Sequence, residues 1–132
     1  MEEVQRGERA QVRALLVEDE ALIGLLLEGY LNDLGITDIE TAGSVGDGLA
    51  LAGGAPFDFA LLDVNLLGER SDPIADLLTH RAGPFAFATG YGRDGICPRH
   101  AARPELVKPP IFGDLRDVVA GLLGWNGDGR RG

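Results

Sequence analysis

The sequence is poor in thiols, in positive charge and in long apolar runs, and each shortage removes a class of protein. Cys97 is the only cysteine among 132 residues, so no intramolecular disulfide can form and a zinc cage of several thiolates is excluded. A reducing, cytoplasmic setting is expected. Twelve Lys and Arg against 21 Asp and Glu leave a formal net charge of -9. That balance argues against nucleic acid or an anionic membrane as a partner, since both are polyanions that reward basic patches. No apolar stretch approaches the roughly 20 residues of a membrane-spanning helix, and the opening MEEVQRGERAQ lacks the apolar core of a secretory signal. What remains, 45% hydrophobic and 25% charged, is the composition of a globular chain. Its length suits one domain with one sizeable core.

Short apolar runs alternate with helical patterns. VRALLV at 12–17 suits a strand buried on both faces. Leu22, Ile23, Leu26, Tyr30 and Leu31 recur at helical spacing before Gly35, which predicts a helix over 21–34 with those residues as its core stripe. ITDIETA alternates like a strand, and Ser44 reads as the N-cap of a glycine-weakened helix, VGDGLALAGG. FDFALL is a third strand. DVNLLGERS reads as a polar loop ending in Asp72-Pro73, a cap and first-turn proline for a helix that Gly83-Pro84 stops. PFAFAT is a fourth strand, and GYGRDGICPRHAAR holds too many glycines and prolines for a firm fourth helix. ELV is a brief fifth strand, Lys108-Pro109-Pro110 a turn, and Leu115, Val118, Val119, Leu122 and Leu123 the stripe of a last helix. The division expected is a disordered leader over 1–11, one folded domain over 12–124 and a flexible tail, WNGDGRRG, over 125–132. Five βα repeats predict an α/β fold, a five-stranded parallel sheet with helices on both faces.

In such sheets ligands collect beyond the carboxyl ends of the strands. There the apolar runs stop on Glu18 and Asp19, on Asp63, on Thr89 and on Lys108. Three crowded carboxylates repel, and a hard divalent cation with oxygen ligands relieves that repulsion; magnesium is the natural choice. Two carboxylates and a main-chain carbonyl near Asn65 would leave it room for a phosphoryl oxygen. Lysine, hydroxyl and metal then form a clamp for a transferring phosphoryl group. Asp63 sits centrally and is the nucleophile expected, a carboxylate able to form an aspartyl phosphate.

V-E-D-E at 17–20, L-L-D-V-N-L at 61–66, F-A-T-G-Y at 87–91 and V-K-P-P at 107–110 together resemble a response-regulator receiver domain of the CheY type, from about Val12 to Leu123. That resemblance implies the flavodoxin-like doubly wound strand order 2-1-3-4-5, with Asp63 as phosphoacceptor. Asp19 is implied as a direct magnesium ligand, Glu18 as its acidic neighbour acting largely through water, and Asn65 as a carbonyl ligand. Thr89 and Lys108 would contact the phosphoryl group, and the Lys108-Pro109 bond is expected to be cis. PFAFATGYG further resembles the FAT GUY receivers, free-standing regulators associated with stress signalling. Two departures from the wider family follow: Glu105 stands where many receivers carry an aromatic residue, and the fourth helix is short or irregular. Tyr91, beside Gly90, is then the expected companion of Thr89 in the switch.

The partners implied are a histidine kinase or phosphotransferase and a downstream protein, the chain acting as a monomer or weak dimer that signals through contacts or serves as a phosphate sink. Two alternatives stay open. One is a magnesium-dependent phosphatase of the haloacid-dehalogenase type, although Asp63-Val64-Asn65 lacks the second acid of the D-x-D such enzymes use. The other is a structural receiver that no longer cycles. GYGRDG at 90–95 formally matches a dinucleotide fingerprint but does not follow a first strand or open a firm helix. His80 and His100 are expected on the surface of a helix and a loop, and Cys97 as a small filler.

Overall fold

The computed structural model describes residues 12–90 and 95–125. In chain order its elements are β1 (Arg13–Val17), α1 (Ala21–Asp33), β2 (Asp38–Ala42), α2 (Val45–Ala52), β3 (Phe59–Asp63), β4 (Asn65–Leu66) and β5 (Glu69–Arg70). They continue with α3 (Asp72–His80), β6 (Phe85–Thr89), a 3-10 turn over Pro98–His100, β7 (Glu105–Val107) and α4 (Phe112–Leu123). The main sheet is five-stranded with order β2-β1-β3-β6-β7, and every neighbouring pair in it is parallel. Leaving out the small β4-β5 hairpin, this is the expected 2-1-3-4-5 order of a flavodoxin-like, CheY-like fold.

Alternation along the strands divides the interior into two cores. Ala14 and Leu16 of β1, Phe59 and Leu61 of β3, Ala86 and Leu106 face α1 and α4. Leu15 and Val17, Ala60 and Leu62, Phe85 and Phe87 face α2 and α3. All five residues of β3 and of β6 are buried, which is why both read as continuous apolar runs.

Several expectations need correction. In α1 the buried residues are Leu27 and Leu31, whereas Leu22 is 81% and Leu26 37% exposed; the helix is apolar almost all round, and its second stripe faces outward. The stretch after Asp63 is no plain loop. Leu67 and Gly68 both take positive φ, 53° and 87°, the requirement of a type I′ hairpin turn, and they close β4 onto β5. Asp72 is the first residue of α3 and not its cap, which is Ser71. The Asp72 carboxylate instead holds Arg70, at 2.8 Å. His100 is not on the surface but 4% exposed, with Nε2 2.8 Å from Asp76 Oδ1. Trp125, expected to begin the tail, is 7% exposed and joins the first core. The leader over 1–11 and the tail beyond 125 lie outside the described residues.

Ser44 does cap α2, its hydroxyl accepting from the Asp47 amide at 3.1 Å. Among the described residues of the fourth crossover the chain forms a short 3-10 turn, Pro98–His100, in a stretch whose glycines and prolines predict no firm helix. The turn is pinned to α3 by Arg99, whose Nε and Nη2 both reach the Asp76 carboxylate at 2.9 Å. That fork, with His100 adding to it, lowers the Asp76 pKa to about 2.

Helix ends carry one further surprise. After α1 the left-handed position belongs to Gly35, φ 86°, and Ile36 donates back to Leu31 at 2.9 Å, the closing bond of a Schellman motif. After α3 the same motif closes from the Gly83 amide to the Leu78 carbonyl at 2.8 Å, but the left-handed residue is Ala82, φ 60°, not Gly83. An L side chain in that region costs roughly 1–2 kcal/mol, partly offset by the greater chain entropy of glycine. Ala82→Gly is therefore expected to stabilise the fold by about 0.5–1 kcal/mol, read as a higher urea midpoint with unchanged slope.

Candidate functional site

Because the five strands run parallel, their carboxyl ends share one edge. Glu18 and Asp19 directly follow β1, Asp63 and Thr89 are the last residues of β3 and β6, and Lys108 follows β7. The ladder continues one residue beyond two of these strands: the Glu18 amide donates to the Ala42 carbonyl at 2.9 Å and the Lys108 amide to the Thr89 carbonyl at 2.7 Å. The backbone at the polar positions is thus set by the sheet. The Lys108-Pro109 bond is cis.

Lys108 lies at the centre. Its Nζ is 3.0 Å from Asp63 Oδ2 and 3.0 Å from Glu18 Oε1, and Glu20 Oε1 approaches to 3.3 Å. Carboxylate oxygens of Glu18, Asp19 and Asp63 all lie within 4.8 Å of one another. Asp19 is fixed from the hairpin, the Leu67 amide donating to its Oδ2 at 2.9 Å. The Glu20 amide donates to Glu18 at 3.1 Å. A cavity of about 520 Å³ opens here, lined among others by Asp19, Asp63, Asn65, Thr89, Gly90 and Lys108. Glu18 does not line it; its side chain is 3% exposed and reaches the group through Lys108.

Burial pushes Glu18 up to about 7, with the Asp63 charge adding to the rise and the bond to Lys108 opposing it. Burial also raises Asp63, again against the pull of Lys108 and with Asp19 adding repulsion. Burial works against the Lys108 ammonium, but its hydrogen bonds to Glu18 and Asp63 outweigh that, and its pKa is raised. One ammonium thus faces an excess of desolvated carboxylate oxygens. A hard divalent cation satisfies such a donor set, and Asp19 and Asp63, with Asn65 on the same cavity wall, are the residues able to hold it.

Six of the seven residues picked from the sequence therefore meet at one edge: Glu18, Asp19, Asp63, Asn65, Thr89 and Lys108. Tyr91 lies outside the described residues. Sequence reasoning missed two acids. Glu20 belongs to the V-E-D-E motif, yet nothing in the motif says that its side chain turns back to Lys108. Glu105 was visible only as an unusual residue; it accepts a hydrogen bond from the Thr89 hydroxyl.

No known-family profile matches the chain, and neither does any curated protein. Solved structures do. The chain is 41% identical to SdrG from Sphingomonas melonis Fr1, over 85% of this chain and 96% of that one, with a TM-score of 0.77. The chain belongs to the response-regulator receiver family. It is also 39% identical, at a TM-score of 0.73, to the BeF3-activated conformation of SdrG from Pseudomonas melonis Fr1, covering 86% of this receiver and 98% of the other chain. The response regulator TrrA from Thermotoga maritima, in complex with Mg2+-BeF, is 26% identical over 85% of this receiver and 99% of its own chain, with a TM-score of 0.74. Such receivers are signalling domains of two-component phosphorelays. Among the described residues of this one, no helix is long and apolar enough to cross a membrane.

The displaced carboxylates predict a pH effect. With the Glu18 pKa raised from 4.5 to about 7, the metal-free folded receiver binds more protons than the unfolded chain between those values, and stability falls as pH rises through that window. Lys108 stays charged throughout. Thermal melting without metal is expected to be highest near pH 5 and lower near pH 7.5, and millimolar magnesium to raise the melting temperature more at the higher pH.

Proposed function

We propose that this receiver accepts a phosphoryl group on Asp63, with magnesium, from a histidine kinase or phosphotransferase, and transmits its presence through protein contacts. The observation that carries the reading is the placement of the Lys108 ammonium between Asp63 and Glu18, 3.0 Å from each, beside Asp19. In the transfer an Asp63 oxygen attacks phosphorus, the phosphorus–nitrogen bond of the donor histidine breaks, and an acyl phosphate forms on Asp63. Lys108 and the Thr89 hydroxyl orient and balance the charge of the transferring oxygens. Magnesium held by Asp19, Asp63 and the main chain at Asn65 supplies further neutralisation of those oxygens.

The structural relatives support carrying this chemistry over: SdrG has a BeF3-activated conformation and TrrA is in complex with Mg2+-BeF. A protein donor is favoured by the surroundings. Leu22 and Leu25 of α1, 81% and 64% exposed, and Leu67 of the hairpin, 72% exposed, give this end of the domain an apolar surface. Placement in the FAT GUY subgroup is part of the proposal, supported by the PFAFATGY run and by the short 3-10 turn over Pro98–His100 in the fourth crossover. Hydrolysis of phosphate monoesters is not expected, since Asn65 cannot protonate a leaving group as the second acid of D-x-D does.

The test is incubation with magnesium and acetyl phosphate, read by intact mass. Gain of one phosphoryl group is expected, lost in Asp63→Asn and slowed about 100-fold in Lys108→Ala. Modification that persists in Asp63→Asn would overturn the assignment.

A further inference from the structure

Thr89 lines the site cavity, yet its hydroxyl donates to Glu105 Oε2. The sheet register sets up that contact. Thr89 pairs with Val107 and Phe87 with Glu105, and residues two apart on a strand share a face, so Glu105 sits diagonally behind Thr89 on the same side of the sheet. A carboxylate is the strongest acceptor a protein offers a hydroxyl, its hydrogen bonds being about twice as strong as neutral ones. A phosphoryl group on Asp63 would present acceptors of the same kind, anionic oxygens. A threonine hydroxyl has one proton to give.

We propose that Glu105 is a positioning residue that competes with a phosphoryl-type anion on Asp63 for the single Thr89 proton, and so sets how readily the site responds. The inference rests on the receiver reading above and adds an internal antagonist to it. In the unmodified state Glu105 holds the hydroxyl. An anion on Asp63 draws Thr89 only by displacing that acceptor, so part of its binding free energy goes into the exchange. Glu105 then gives up that hydrogen bond. It lies on the edge strand β7, two residues from Val107, which is 53% exposed on the same face. A switch of hydrogen-bond acceptor inside the site thereby becomes a change at the sheet edge, where a partner can read it.

The experiment measures beryllofluoride affinity in excess magnesium for the full chain by titration calorimetry, and follows the Thr89 methyl resonance by NMR. Glu105→Gln keeps the shape of the side chain, and Glu105→Val suits an edge strand, so the two variants guard each other against misfolding. Both are expected to bind beryllofluoride about tenfold tighter than the unaltered protein. Their free-state Thr89 methyl signal should lie part-way toward the bound position. In a Thr89→Val background the Glu105→Gln gain should vanish. A gain that persists there would mean that Glu105 acts by its charge alone, and the proposal falls. Unchanged affinity in both single variants, with normal binding by the unaltered protein, overturns this inference and leaves the receiver reading standing. Absence of binding by the unaltered protein overturns both.

Discussion

The structure turns on a charge imbalance held in place by a sheet. Lys108 is shared among Asp63, Glu18 and Glu20 at 3.0 to 3.3 Å, while Asp19 stands within 4.8 Å of two of them. Two like charges at such a separation repel by roughly 3–4 kcal/mol at the effective dielectric of a protein surface, and one ammonium cannot offset three or more carboxylates. Left to themselves the side chains would swing apart. Glu18, Asp19 and Asp63 instead follow or end the strands β1 and β3 and Lys108 follows the edge strand β7, and Glu18 and Lys108 have their own amides tied to the next strand. The apolar faces of β1, β3 and β6 thus hold together groups that their charges would separate, and the remaining excess is of the kind a small, hard, multiply charged cation satisfies.

Most of this was legible because the two layers of evidence coincide in the sequence. FALLD and FAFAT are buried throughout, so they read as unbroken apolar runs, and the first polar residue in each marks the strand end and a member of the site at once. Local chemistry was legible too where it is short-range, as in the Ser44 cap. What failed was choice between equivalent local options. In α1, Leu22, Leu26, Leu27 and Leu31 fit helical spacing in more than one stripe, and only packing against the sheet selects Leu27 and Leu31. At the end of α3, Gly83-Pro84 marks the stop as read, but the left-handed position there falls on Ala82, a residue with no sequence signal for it. The hairpin escaped notice because strands of two residues carry no periodicity and Leu67 is not a residue that advertises positive φ.

A second group of misses is non-local. His100 is buried because Asp76, 24 residues earlier, accepts a hydrogen bond from its ring and because Phe85 and Phe87 surround it at ring distances of 5.9 and 6.1 Å. Thr89 and Glu105 meet only because β6 and β7 pair in one register, and a shift of one residue would place them on opposite faces. A single sequence states which residues form strands much more plainly than it states the register between them.

The short fourth crossover shows how the same contacts connect the site to the outside. In the fourth crossover, the segment from Gly95 onward buries Ile96 in the second core and adds polar attachments: Arg70 of the hairpin donates to the Gly95 carbonyl at 2.8 Å, and Arg99 and His100 grip Asp76 of α3. The hairpin that supplies Arg70 also supplies the Leu67 amide to Asp19. A few charged hydrogen bonds thus connect the acidic pocket, the hairpin and the crossover. Such bonds break and re-form singly, whereas a packed face moves as a unit. Asp19 and the crossover are therefore joined through one hairpin, by the Leu67 amide on one side and the Arg70 guanidinium on the other.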